Sequence, residues 1–157
     1  MNGKRDLRAL SDYVFSRTRD RLANLEDDEY FWEPSPSCWS IRVSTDGIAT
    51  VDGQLLRPEK APFTTIAWRL WHPIDCYGAD RNEQLLLETD DGRGELRCAP
   101  CPSASTALDA LDRANQWWVG LLDGLSEQTL SQPLGPSAGV PTRTKIVAPT
   151  CCTSSMR

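Results

Sequence analysis

Apolar residues recur at three- and four-residue steps in three separate stretches of this chain, and that periodicity narrows the fold more than any other feature. The first stretch is Arg5–Leu25, where Leu7, Leu10, Val14, Thr18, Leu22 and Leu25 form one stripe and Arg and Asp occupy the other faces. The second, "APFTTIAWRLWHPIDCYGADRNEQLL", opens at Pro62 with Thr64 or Thr65 near its start, and its stripe is Ile66, Leu70, Ile74 and Tyr77. Pro73 predicts a kink there, or an end to the first half just after His72. The third runs from about Ser105 to Leu125, with Leu108, Leu111, Trp118, Leu121, Leu122 and Leu125 facing inward.

The connections are long and rich in turn formers. Pro34 and Pro36 exclude a helix from "EDDEYFWEPSPSCWS". "WSIRVS" and "GIATVDGQLL" flank Asp46-Gly47, which predicts a short hairpin or an extended loop. "ETDDGRGELRCAPCPSAS" and "SEQTLSQPLGPSAG" read as loops. Three helices of bundle length joined by such crossovers predict an all-α bundle with room for a fourth helix. The segment that should supply it, "GVPTRTKIVAPTCCTSSMR", has neither a helical nor a strand period. The organisation expected is one incomplete helical domain over 1–139 and an irregular, disordered tail over 140–157.

Size and charge bound the function. A chain of 157 residues is one domain by size and can bury a core. A net charge of −5 argues against a nucleic-acid partner, which would call for a basic face. No apolar run reaches membrane-spanning length, and "MNGKRDLRAL" lacks the apolar centre of an export signal. The expectation is a cytoplasmic protein with no membrane partner. In that compartment the six cysteines are free thiols, metal ligands or redox groups rather than disulfides.

Several side chains are candidates for chemistry. Trp68, His72 and Cys76 lie at i, i+4 and i+8 and share one helix face. A lone histidine beside Trp68 and Trp71 is also what a packed core residue looks like. Trp39, Trp68 and Trp71 either line a pocket above His72 or pack the core, and packing is the simpler role. Of Trp117 and Trp118, one is expected inside and one at the edge. Arg42 and Arg69 are candidates for holding a carboxylate, with surface solvation as the alternative. Cys98-x-x-Cys101 has the spacing of a thioredoxin-type site, which would need Cys98 at a helix N-terminus after a buried strand. Cys98, Cys101, Cys151 and Cys152 could supply four thiolates to zinc, but adjacent cysteines fit a tetrahedral centre poorly.

"DDEYFWEPSPSCWSIR", "PFTTIAWRLWH" and "SEQTLSQPLGP", in this order, resemble the DinB/YfiT-like superfamily, in particular its actinobacterial members, from Leu7 to Gly139. The resemblance implies an up-down four-helix bundle with a metal-binding pocket. In several related groups it implies a transferase or isomerase using mycothiol, bacillithiol or glutathione. It also implies that His72 is one ligand of a divalent ion, of zinc or nickel type, whose other ligands come from a histidine-rich last helix. This sequence has one histidine in all and departs from the pattern there. Cys76, Asp75 and Asp80 are the nearby substitutes.

Read one frame away, the codons for 140–157 allow an acidic lead followed by a helix with a histidine. The tail is therefore expected to be a frame-shifted replacement of the fourth helix, beginning after Gly139. The expected activity is metal-assisted transfer of a low-molecular-weight thiol to an electrophile, lost or impaired for want of ligands opposite His72. The alternatives are a non-catalytic helical interaction protein that forms a homodimer, and a Cys98/Cys101 thiol-disulfide oxidoreductase.

Overall fold

A computed structural model describes residues 3–53, 62–78 and 98–131. Their order is α1 (Gly3–Arg21), α2 (Asp27–Tyr30), β1 (Ile41–Val43), β2 (Ala49–Val51), α3 (Ile66–Tyr77), α4 (Ala104–Gly124) and α5 (Glu127–Leu130). The long helices α3 and α4 pack along each other, and α1 lies on α4. The fold is mostly helical, as the periodicity predicts, with one small antiparallel hairpin added. Of the sequence-based expectations, the second helix beyond Gly78, Asp80, the fourth-helix segment and the tail over 140–157 lie outside the described residues.

The start of α3 is fixed by its cap. Thr65 Oγ1 accepts from the Trp68 N–H at 3.2 Å and donates to Ser40 Oγ at 3.0 Å. Both hydroxyls are buried, so each needs the other as a partner. The helix then continues through Pro73, so of the two outcomes expected there an end after His72 does not occur. A proline inside a helix costs about 3 kcal/mol. Leu70, Trp71 and Ile74 flank it on the buried face, and each contributes roughly 1.5–3 kcal/mol by leaving water. Burial wins, and the helix survives its proline.

α4 begins at a capping box in which the Ser103 and Thr106 side chains each accept from the other's backbone N–H, at 3.2 and 3.1 Å. Its buried face is Ala104, Ala107, Leu111, Ala114, Trp118 and Leu122. Leu108, Leu121 and Leu125, expected inside, are only half-buried. Three alanines take the seam against α3 instead, where larger side chains would hold the helices apart. Tyr30 and Ile41 close the end of this core.

α1 departs further from expectation. It has no buried residue, it ends at Arg21, and Leu10 and Val14 of the expected inner stripe are 59% and 45% exposed. The face toward α4 carries Phe15 and Ser11, whose Oγ accepts from Trp118 Nε1 at 3.1 Å. Arg8 bonds Asp123 at 2.6 Å and Arg19 bonds Asp112 at 3.0 Å along the same line. Solvated ion pairs of this kind add little, so α1 is held weakly compared with α3.

The hairpin pairs Ile41 with Val51, Arg42 with Thr50 and Val43 with Ala49. Its turn places Gly47 at φ +80°, the left-handed region that glycine enters freely. Just before it, the Trp39 N–H donates to the Phe63 carbonyl at 2.8 Å and the Thr65 N–H to the Trp39 carbonyl at 2.9 Å. These bonds stitch the hairpin to the start of α3.

Candidate functional site

The helical repeat of α3 brings Trp68, His72 and Cys76 onto one face, as their spacing predicts. The His72 ring stacks on Trp68, with centroids 5.9 Å apart and planes 15° from parallel. Cys76 Sγ lies 3.8 Å from His72 Nε2. His72 is half-buried and Cys76 fully buried, so the imidazole marks the solvent side of the pair. A nitrogen and a sulfur donor one helical turn apart suit a borderline-soft ion of zinc or nickel type. Among the described residues, however, no group of three His, Cys, Asp or Glu side chains converges to hold one. Among the described residues, His72 and Cys76 are the two donors that α3 brings together.

The tryptophans form a wall beside His72. Trp39 and Trp68 lie 5.8 Å apart between ring centroids, and Trp68 and Trp71 lie 6.2 Å apart. Trp68 Nε1–H donates to the Asp52 carbonyl at 3.1 Å, tying the end of the hairpin to α3. Gly53, at φ +77°, lets the backbone pass over Trp39, since a Cβ there would meet the indole at 2.4 Å. Trp71 is buried in the core while Trp39 and Trp68 stay half-exposed, so packing and wall-lining are divided among them. Trp118 is inside and Trp117 at the edge.

The other candidates are engaged elsewhere. Asp75 is buried, and its Oδ1 accepts from the Cys98 N–H at 2.9 Å, which directs that oxygen toward the loop before α4 rather than toward His72. Arg42 binds the Glu33 carboxylate, Asp52 Oδ2 at 2.9 Å and the Cys38 carbonyl at 3.0 Å. These bonds make it a clamp on the hairpin, and Glu33 and Asp52 hold its guanidinium charged. Arg69 Nε donates to Thr64 Oγ1 at 2.7 Å.

Cys98 and Cys101 precede α4, whose first residue is Ala104, so Cys98 does not occupy the helix N-terminus that a thioredoxin-type thiol needs. Burial pushes the Cys101 thiol up, opposed in part by Arg113. That direction disfavours the nucleophilic thiolate of an oxidoreductase. Tyr30 was not singled out by sequence. It is fully buried, and its hydroxyl donates to the Cys101 carbonyl at 3.1 Å.

The DinB superfamily profile matches residues 12–148. The chain belongs to the DinB superfamily. No curated protein and no solved structure matches it. The DinB match covers α1 from Asp12, the hairpin, α3 and α4, and it runs on past Gly139. This superfamily is generally metal-associated, which is the context in which the His72–Cys76 pair acquires interest. No helix among the described residues is long and apolar enough to cross a membrane.

Proposed function

We propose that this chain is a DinB protein of the thiol S-transferase class whose metal site is incomplete. In this reading, transfer of a mycothiol- or bacillithiol-type thiol to an electrophile is impaired. The observation that supports it is the His72–Cys76 pair, which supplies two donors on α3 where a catalytic site uses about three protein ligands. His72 is the only histidine in the sequence, so these 157 residues bring no second imidazole to the set. When bound, a divalent ion of zinc or nickel type would supply Lewis acidity and hold a thiol as thiolate. The chain's own residues would then do the rest: Trp68 orients the His72 ring by stacking, and Trp39 and Trp68 wall the approach from water.

The test combines metal content with turnover. Purified protein is measured for zinc and nickel, then assayed for transfer of a low-molecular-weight thiol to a bimane electrophile. The expected result is well under one ion per chain, with a rate no higher than that of His72→Ala. One tightly held ion per chain, with turnover that His72→Ala abolishes, would overturn the reading.

A second reading rests on α1. Leu10, Tyr13 and Val14 are exposed at 59%, 63% and 45% and sit at i, i+3 and i+4, which makes one apolar strip. This favours a non-catalytic interaction protein in which a second copy covers that strip. Oligomeric state separates the two readings.

A further inference from the structure

A chain of bonds and ring contacts runs from the hairpin to the imidazole of His72. At its far end is Asp52, the residue after β2. Asp52 Oδ2 accepts from Arg42 Nε at 2.9 Å and from the Ser40 N–H at 3.0 Å, and the Asp52 N–H donates to the Ser40 carbonyl at 3.0 Å. Arg42 is held in turn by the Glu33 carboxylate and by the Cys38 carbonyl at 3.0 Å, so its planar fork has a set direction. The Asp52 carbonyl then accepts from Trp68 Nε1 at 3.1 Å.

That last bond selects an orientation. The torsion that turns an indole about its stem is broad and roughly two-fold, and one of the two flips aims Nε1 at the Asp52 carbonyl. Trp39 packs beside the ring, 5.8 Å away between centroids. The His72 ring lies 15° from parallel to the Trp68 indole, with its Nε2 3.8 Å from Cys76 Sγ. Turning the indole would break the stack and free the imidazole from the orientation that faces Cys76.

We propose that Asp52 is a positioning residue for His72, acting through Trp68, with Arg42 as the clamp that holds Asp52 in place. The proposal takes His72 as the donor on α3, as the proposed function does, and it concerns the direction of the ring rather than an ion on it. A donor nitrogen works when its supporting residues hold it within about 10–20° of its direction. Asp52 and Arg42 supply that support from outside the helix. Arg42, exposed and a sequence-level candidate for a substrate carboxylate, is engaged by two carboxylates of its own chain.

The test is NMR of the full-length chain at one fixed pH, where His72, the only histidine, gives an unambiguous imidazole signal. Wild type is expected to show NOEs between the imidazole C–H protons and the Trp68 indole, assigned with Trp68→Phe, and slow solvent exchange of the Trp68 Nε1–H. Asp52→Ala is expected to lose the NOEs and to speed that exchange roughly tenfold, the shift that loss of about one hydrogen bond permits. Arg42→Gln moves both readouts the same way to a smaller extent, and its exposure lets the chain fold without it. Arg42→Lys keeps the charge but loses the fork, so it behaves like Arg42→Gln. Arg69→Gln, an exposed neighbour of Trp68 bonded to Thr64, leaves both readouts unchanged. An Asp52→Ala chain that melts earlier yet keeps the NOEs and the slow exchange would make Asp52 structural only and overturn the proposal. NOEs absent from wild type, or lost equally in Arg69→Gln, would also overturn it. Metal content and turnover decide the proposed function separately and move none of these readouts.

Discussion

Tyr30 shows what a single buried hydroxyl contributes. Burial pushes its phenol well above the ordinary value, and the charges of Cys101, Asp27 and Cys98 add to the effect. An unfolded tyrosine ionises near pH 10, while the folded one stays protonated. The associated stability is therefore fully present below about pH 10 and is lost as pH rises beyond it. Tyr30→Phe is expected to cost roughly 1–3 kcal/mol at neutral pH, because the Cys101 carbonyl loses its donor. Above about pH 10 the variant should lose stability less steeply than wild type, which urea melts at stepped pH will show. The sequence held no sign of this residue. A lone aromatic in the acidic, proline-rich "DDEYFWEPSPS" has no periodicity, and its burial depends on α3 and α4 meeting around it. His72 was legible because its helix spacing and the family resemblance both point to it. The engagement of Asp75 with the Cys98 backbone was hidden for the opposite reason, since its partner lies 23 residues away in a loop.

Among the elements, the three long helices and the hairpin were readable, and their inner faces only partly so. Asp46-Gly47 announced the turn because few other pairs accept its backbone angles. The alanine seam of α4 stayed hidden, because alanine scores equally well on a solvated face and at a close helix contact. It makes a sharp prediction. Ala107 is fully buried between the helices, so Ala107→Leu forces added volume into filled space and should destabilise the fold by about 1–3 kcal/mol. Asp109→Ala, two positions on and exposed, should stay within about 0.5 kcal/mol. Thermal or urea unfolding of both variants reads the difference. An equal effect at the two positions would mean that the seam is looser than the burial shows. Pro73 does not end its helix for an energetic reason: a local cost is outweighed by burial on the same helix, and sequence displays the cost more plainly than the gain.

At the scale of the whole molecule, α3 and α4 carry the core while α1 rides outside it, and the exposed strip of Leu10, Tyr13 and Val14 is the consequence. If a second copy covers that strip, Leu10→Lys with Val14→Lys should convert a dimer to a monomer. The helical signal should change little, because neither residue is buried in the chain. Sedimentation velocity across a concentration series measures this. A wild-type chain that remains monomeric throughout would remove the homodimer reading. Three stripes with long crossovers predict a further helix, and the segment expected to supply it lies outside the described residues. What covers the Leu10, Tyr13 and Val14 strip was not legible, because an exposed apolar face specifies only that its partner be apolar.

The stack of His72 on Trp68 has an optical consequence. A proton or a metal ion arriving at the imidazole places positive charge against the face of the indole, 5.9 Å away between ring centroids. Indole emission responds to such a charge in both intensity and colour. The protein thus carries its own unlabelled sensor of whatever occupies His72, read as the difference between wild type and Trp68→Phe.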